Sequence, residues 1–226
     1  MNVSNNSCPL ASEGCLDKLT VEEFTLSDGS HVHYCEECDL LWAQRTSCKY
    51  NSETSTEDAL KFNQWLLNKQ SWHTNSFESP HSKEIEKISS KRVILHDSLS
   101  HQDDPTALLE SIEKNIKIKE LGILIHNASS REAIHCGSYW PIWEEQARYF
   151  FSPTTIKMLM EPTSFQLKAS YPVEFLMYEN TMKVKKASHP KTAFWRGRVR
   201  SLIHRIGGRL NTDDAGHIFY LFSRNI

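Results

Sequence analysis

The stretch CPLASEGCLDKLTVEEFTLSDGSHVHYCEECDLLWAQ, residues 8–44, decides how the first part of the chain folds. It holds four of the six cysteines in two close pairs, Cys8 with Cys15 and Cys35 with Cys38. Between the pairs, Val21 and Phe24 precede the tetrapeptide Ser27-Asp28-Gly29-Ser30, and Val32 and Tyr34 follow it. Apolar alternation on both sides of an Asp-Gly turn predicts a β-hairpin. Such a hairpin brings the two cysteine pairs to one end. Two strands alone bury too little apolar surface to hold together in water.

A tetrahedral zinc ion held by four thiolates would supply the missing folding free energy. The expected ligands are Cys8, Cys15, Cys35 and Cys38. The Cys35-Glu36-Glu37-Cys38 spacing lets backbone amides point at both sulfurs, and Trp42 is placed to cover the site. Buried but unliganded cysteines are the plainer reading, and the pairs flanking a hairpin argue against it. A redox role for Cys35 and Cys38 lacks the following βαβ context. With every ligand position taken by Cys, the metal is expected to be structural, with no open position for water.

The segment resembles the transcription-factor-IIB-type zinc ribbon of many small bacterial proteins, over about residues 8–45. The resemblance rests on Cys8-Pro9, Leu16 and Leu19, Gly29, His33-Tyr34, the Cys35–Cys38 pair, and Leu41-Trp42. It implies a rubredoxin-like fold, a β-hairpin with two cysteine knuckles. Two departures stand out. Six residues separate Cys8 from Cys15 where the family usually has two, and Asp39-Leu40 replaces the glycine pair that follows the last cysteine. His31, His33 and Cys48 are alternatives for a ligand position.

Working outward, residues 1–50 form the expected ribbon and 51–91 a helix with a polar linker, the helix lying over 55–70. Residues 92–226 read as a mixed α/β domain, so the expected class is α+β or α/β. Short apolar runs predict strands at 92–96, 120–126, 164–171, 173–180 and 217–223. Helices are expected at 103–116, with Asp103 or Asp104 as cap and Pro105 in the first turn, and at 141–151. Another is expected at 152–161, where Ser152 caps and Pro153 follows, and a last one at 192–208, closed by glycines. The short crossover from 96 to 120 suggests parallel strands.

Charge is uneven. Nine of the 26 Lys and Arg lie between Lys183 and Arg209, where there is no Asp or Glu, so the other 17 face all 28 acids. On the expected helix Trp195, Val199, Leu202, Ile203 and Ile206 make one apolar face with arginines on its flanks. Arg suits bidentate phosphate contacts. Lys185, Lys186, Lys191, Arg196, Arg198, Arg200, Arg205 and Arg209 are the candidate nucleic-acid-binding residues. The competing reading is a solvated face, or arginines paired to the acidic body.

Neither of the two strand ends at residues 96–98 and 126–132 matches a glycine-rich nucleotide loop or a nucleophile elbow. Two strand ends, His96-Asp97-Ser98 and His126-Asn127, carry side chains fit for acid–base work. A hydrolytic or transferase-type enzyme centred on His96, Asp97 and His126 is therefore the second reading, and a protein–protein adaptor or inhibitor a third. The leading expectation is a zinc-binding, non-enzymatic protein that docks a macromolecule, with nucleic acid as the expected partner. The longest apolar run, residues 121–125, is far short of the ~18 needed to span a bilayer. The first ten residues lack the features of a signal peptide. A cytoplasmic protein with no membrane partner is expected.

Overall fold

A computed structural model describes residues 8–10, 21–26, 29–44, 85, 88–96, 98–136, 140, 143, 147–173 and 214–224. The expected helices over 55–70 and 192–208, most of the polar linker and most of the strand at 173–180 lie outside them. The described chain is α+β, with two four-stranded sheets and three α-helices among the described residues, the second of them, α2, spanning Arg131–Cys136.

The first sheet begins with the hairpin. Strands β1 (Val21–Thr25) and β2 (His31–Cys35) pair antiparallel, with Val21 opposite Tyr34 and Thr25 opposite His31. Gly29 adopts φ +82°, the left-handed conformation that costs glycine little. Strand β3 (Leu40–Ala43) returns along β2 and places Cys35 opposite Leu40. The fourth strand, β6 (Tyr149–Phe150), comes from far along the chain and pairs with β3, so the order is β1-β2-β3-β6.

The second sheet has the order β4-β5-β8-β7. Strands β4 (Arg92–His96) and β5 (Glu120–His126) are parallel neighbours, as expected. Helix α1 (Pro105–Lys114) forms their crossover, and its Leu108, Leu109 and Ile112 are buried. Asp104 caps it, accepting from the amides of Thr106 at 2.9 Å and Ala107 at 3.0 Å. At its other end Arg224 donates to the carbonyl of Glu113 at 2.8 Å, a cation on orphan helix carbonyls. Strands β7 (Phe165–Pro172) and β8 (His217–Arg224) complete the sheet antiparallel to each other, and β8 also runs antiparallel to β5.

Side-chain parity divides the core. Val93, Leu95, Leu121, Ile123, Ile125, Ile218, Tyr220 and Phe222 face the main core, which also takes in Cys8, Cys35, Cys38, Leu40 and Trp42. Helix α3 (Pro153–Met160) adds Ile156, Leu159 and Met160 to it. Ile94, Leu124, Phe219 and Leu221 form a second cluster on the other face of the sheet. Burial on both faces explains why β5 and β8 read as unbroken apolar runs. The far face of the first sheet packs Val32, Ala43 and Phe150 with Trp140 and Trp143.

The helix expected over 141–151 is corrected at its end, where Tyr149 and Phe150 form a strand. A ladder to β3, a non-local contact, overrides the local helical spacing. The adjoining helix α3 begins as expected at Ser152 and Pro153, with a reciprocal capping box between Ser152 and Thr155. Among the described residues no helix is long and apolar enough to cross a membrane.

Candidate metal centre

Cys35 ends β2, and the turn over residues 36–39 carries Cys38 back toward β3. The N-terminal segment delivers Cys8 to the same place. The three sulfurs lie within 4.8 Å of one another, and the side chains are 2%, 4% and 0% exposed for Cys8, Cys35 and Cys38. Among the described residues no other group of His, Cys, Asp and Glu converges in this way.

The spacing can be tested against a metal. A Zn–S bond of about 2.3 Å puts neighbouring sulfurs of a tetrahedron about 3.8 Å apart. Cys8 Sγ and Cys38 Sγ are 3.8 Å apart. A disulfide would bring them to about 2.05 Å. The residues present therefore fit a tetrahedral ion. Cys15, the remaining expected ligand, lies outside the described residues, as does Cys48. His31 is exposed. His33 is buried and packs its ring against Trp42, with centroids 5.5 Å apart. Neither histidine joins the cysteine group.

The knuckle is held from outside by polar contacts. Asp39 has φ +51°, left-handed for a residue with a Cβ. Here the side chain is put to use: Asp39 accepts from the Tyr34 hydroxyl at 3.1 Å through Oδ1 and from the Ser129 hydroxyl at 3.1 Å through Oδ2. Burial, and then the Asp39 carboxylate, push the Tyr34 phenol up to about 12. The backbone is held as well. The Thr155 hydroxyl lies 2.8 Å from the carbonyl oxygens of both Cys38 and Asp39. No sequence signal marked Asp39, Ser129 or Thr155 as partners, because Thr155 is 117 residues from Cys38.

The strand-end residues form a different arrangement. By register, His96 on β4, His126 on β5 and His217 on β8 fall on the same face of the second sheet. His126 and His217 stand opposite each other, rings edge to face at 4.3 Å. His217 was not among the expected site residues, since it opens what reads as a plain apolar strand. Asp97 lies outside the described residues. Asn127 and Ser130 serve the backbone instead: Asn127 donates to the Ala215 carbonyl at 2.9 Å, and Ser130 accepts from the Ala133 amide at 3.1 Å. Arg131 pairs with Asp214 at 3.2 Å.

The candidate nucleic-acid-binding residues, Lys185, Lys186, Lys191, Arg196, Arg198, Arg200, Arg205 and Arg209, all lie outside the described residues.

The fold and the site define an α+β protein with a buried group of three cysteines able to hold a metal ion. Compared with models of protein families and with curated proteins, the chain finds no match.

Proposed function

We propose that the protein is a zinc-binding, non-enzymatic docking protein, in which a ribbon built on β1, β2 and β3 holds the ion and the basic sequence between Lys183 and Arg209 engages nucleic acid. The observation that carries the metal reading is the convergence of three buried sulfurs, two of them a tetrahedron edge apart. Thiolates taken from water into an apolar core are costly unless a cation compensates them. An all-sulfur tetrahedral set suits zinc or iron, and zinc, redox-inert and closed to water by a fourth ligand, fits a structural role. Cys15 is the proposed fourth ligand.

The docking reading rests on the acid-free run of nine Lys and Arg between Lys183 and Arg209. Counterion release makes such binding fall steeply with salt.

Elemental analysis of freshly purified protein tests the metal: about one zinc per chain is expected, lost in Cys38→Ser. Protein free of metal at purification would sink this reading. Titration with DNA and RNA at low and moderate salt tests the docking. Affinity that is salt-sensitive, and weakened by Arg196→Ala with Arg200→Ala, supports it, and salt-independent binding refutes it.

One observation favours a second reading, an enzyme with its site at the carboxyl ends of the parallel strands. His96, His126 and His217 share one sheet face there, where sites gather in open α/β sheets. Turnover abolished by His126→Gln but unaffected by chelators would favour it over the docking reading.

A further inference from the structure

We propose that Thr155 is a positioning residue of the metal centre, so that metal binding by the cysteines and seating of the α3 N-terminus are one linked event. The inference rests on the reading that Cys8, Cys35 and Cys38 hold a metal ion, and deepens it.

Thr155 is fully buried, and its hydroxyl oxygen makes four contacts. Two are the carbonyls of Cys38 and Asp39, each at 2.8 Å. The other two are the Ser152 hydroxyl at 2.9 Å and the Ser152 amide, which donates to it at 3.4 Å. A hydroxyl has one proton and two lone pairs. The carbonyls only accept, so the Thr155 proton goes to them and Ser152 donates to Thr155. Ser152 Oγ accepts in turn from the Thr155 amide at 3.1 Å. The result is a closed relay from the helix cap to the metal knuckle, with every hydroxyl proton assigned.

The position of the two carbonyls gives the relay its effect. They belong to the peptide planes on either side of Asp39. Holding both fixes the left-handed turn at Asp39 and, with it, the direction in which Cys38 leaves the backbone. Asp39 Oδ2 extends the link to Ser129 in the loop after β5. A ligand residue braced in this way is pre-organised, and removal of an outer-shell partner typically costs about 10–100-fold in metal affinity. The link is also reciprocal: whatever Thr155 contributes to metal affinity, the metal contributes to the seating of α3.

The test uses the full chain and competition for Zn²⁺ or Co²⁺ against a chromophoric chelator. Thr155→Val keeps the shape and deletes the hydroxyl, and is expected to weaken metal binding about 10–100-fold. Thr155→Ser restores the hydroxyl and should return affinity to within about threefold of wild type, a shift of less than one pK unit in the binding constant. The Co²⁺ complex of the valine variant should show altered thiolate charge-transfer bands. Equal affinity of wild type and Thr155→Val overturns the proposal. So does equal weakening in the valine and serine variants, which would make the role one of packing. Should the valine variant not fold, hydrogen exchange on wild type decides: adding Zn²⁺ to chelator-treated protein must slow exchange of the Thr155 amide. Protection confined to residues 8–44 overturns the proposal while leaving the metal reading intact. Failure of the wild type to take up Zn²⁺ or Co²⁺ overturns both.

Discussion

Leu41 of β3 and Phe150 of β6 stand opposite each other in an antiparallel ladder. This pairing joins the cysteine-bearing hairpin to a strand that follows the crossover and β5. Phe150 is 1% exposed and packs edge to face on Trp143 at 4.3 Å. Phe150→Ala is expected to cost about 3–5 kcal/mol, the usual range for emptying a buried phenylalanine site. Urea unfolding checks it. A change below about 1 kcal/mol would mean that the pairing carries little of the stability.

Gly122 is the close-approach point of β5. A Cβ built there would lie 2.7 Å from the Phe219 ring and 3.1 Å from Ile94 Cγ1. Gly122→Ala is expected to destabilise by about 1–3 kcal/mol through overpacking. Combining it with Phe219→Leu should shrink that penalty, because the two sites share one volume. Identical penalties in both backgrounds would show that the ring is not the obstacle.

Asp39 combines a left-handed backbone with two side-chain hydrogen bonds. Asp39→Ala and Asp39→Gly both lose the bonds, but only alanine keeps a Cβ in the strained conformation. The alanine variant should be less stable than the glycine variant by about 1 kcal/mol. Thermal unfolding of the pair under identical conditions measures the difference. The opposite order would place the stabilisation elsewhere than in the backbone.

Tyr149 donates to the Asp103 carbonyl at 2.9 Å, and its phenol is raised above the ordinary value by burial, with Arg148 acting partly against it. A raised value means that the folded chain holds the proton longer than the unfolded chain. The stabilisation is therefore fully present below the ordinary tyrosine pKa of about 10, and is lost as pH rises from there through the folded value. Tyr149→Phe should be less stable than wild type by about 1 kcal/mol at neutral pH, from the lost hydrogen bond. The gap should narrow above about pH 10. Denaturant unfolding at a series of pH values follows it, and a gap that widens with alkali would contradict the sign.

Much of the second sheet was legible in the residues. The runs at 92–96 and 120–126 became β4 and β5 with the expected limits, and their parallel pairing followed from the crossover length. Helix α1 starts at Pro105 behind Asp104, and α3 at Pro153 behind Ser152, because caps are local chemistry. Tyr149 and Phe150 were misread for the complementary reason: helical spacing is a local signal, and the partner strand lies more than a hundred residues away. The site divides in the same way. The cysteine pairs and the Asp-Gly turn pointed to Cys8, Cys35 and Cys38, whereas nothing near Thr155 or His217 in the chain announced what each would face.

The sequence alone determined the pieces whose causes lie within a few residues: the hairpin turn, the helix caps, the buried strands and the thiol chemistry gathered near the N-terminus. Only the tertiary structure decided which pieces meet. It placed β6 on β3, the α3 cap under the cysteine knuckle, and three histidines on one sheet face. The physical reason is that local preferences act through neighbouring dihedrals and nearby hydrogen bonds. Long-range pairings are selected by burial of the whole core, to which every element contributes at once.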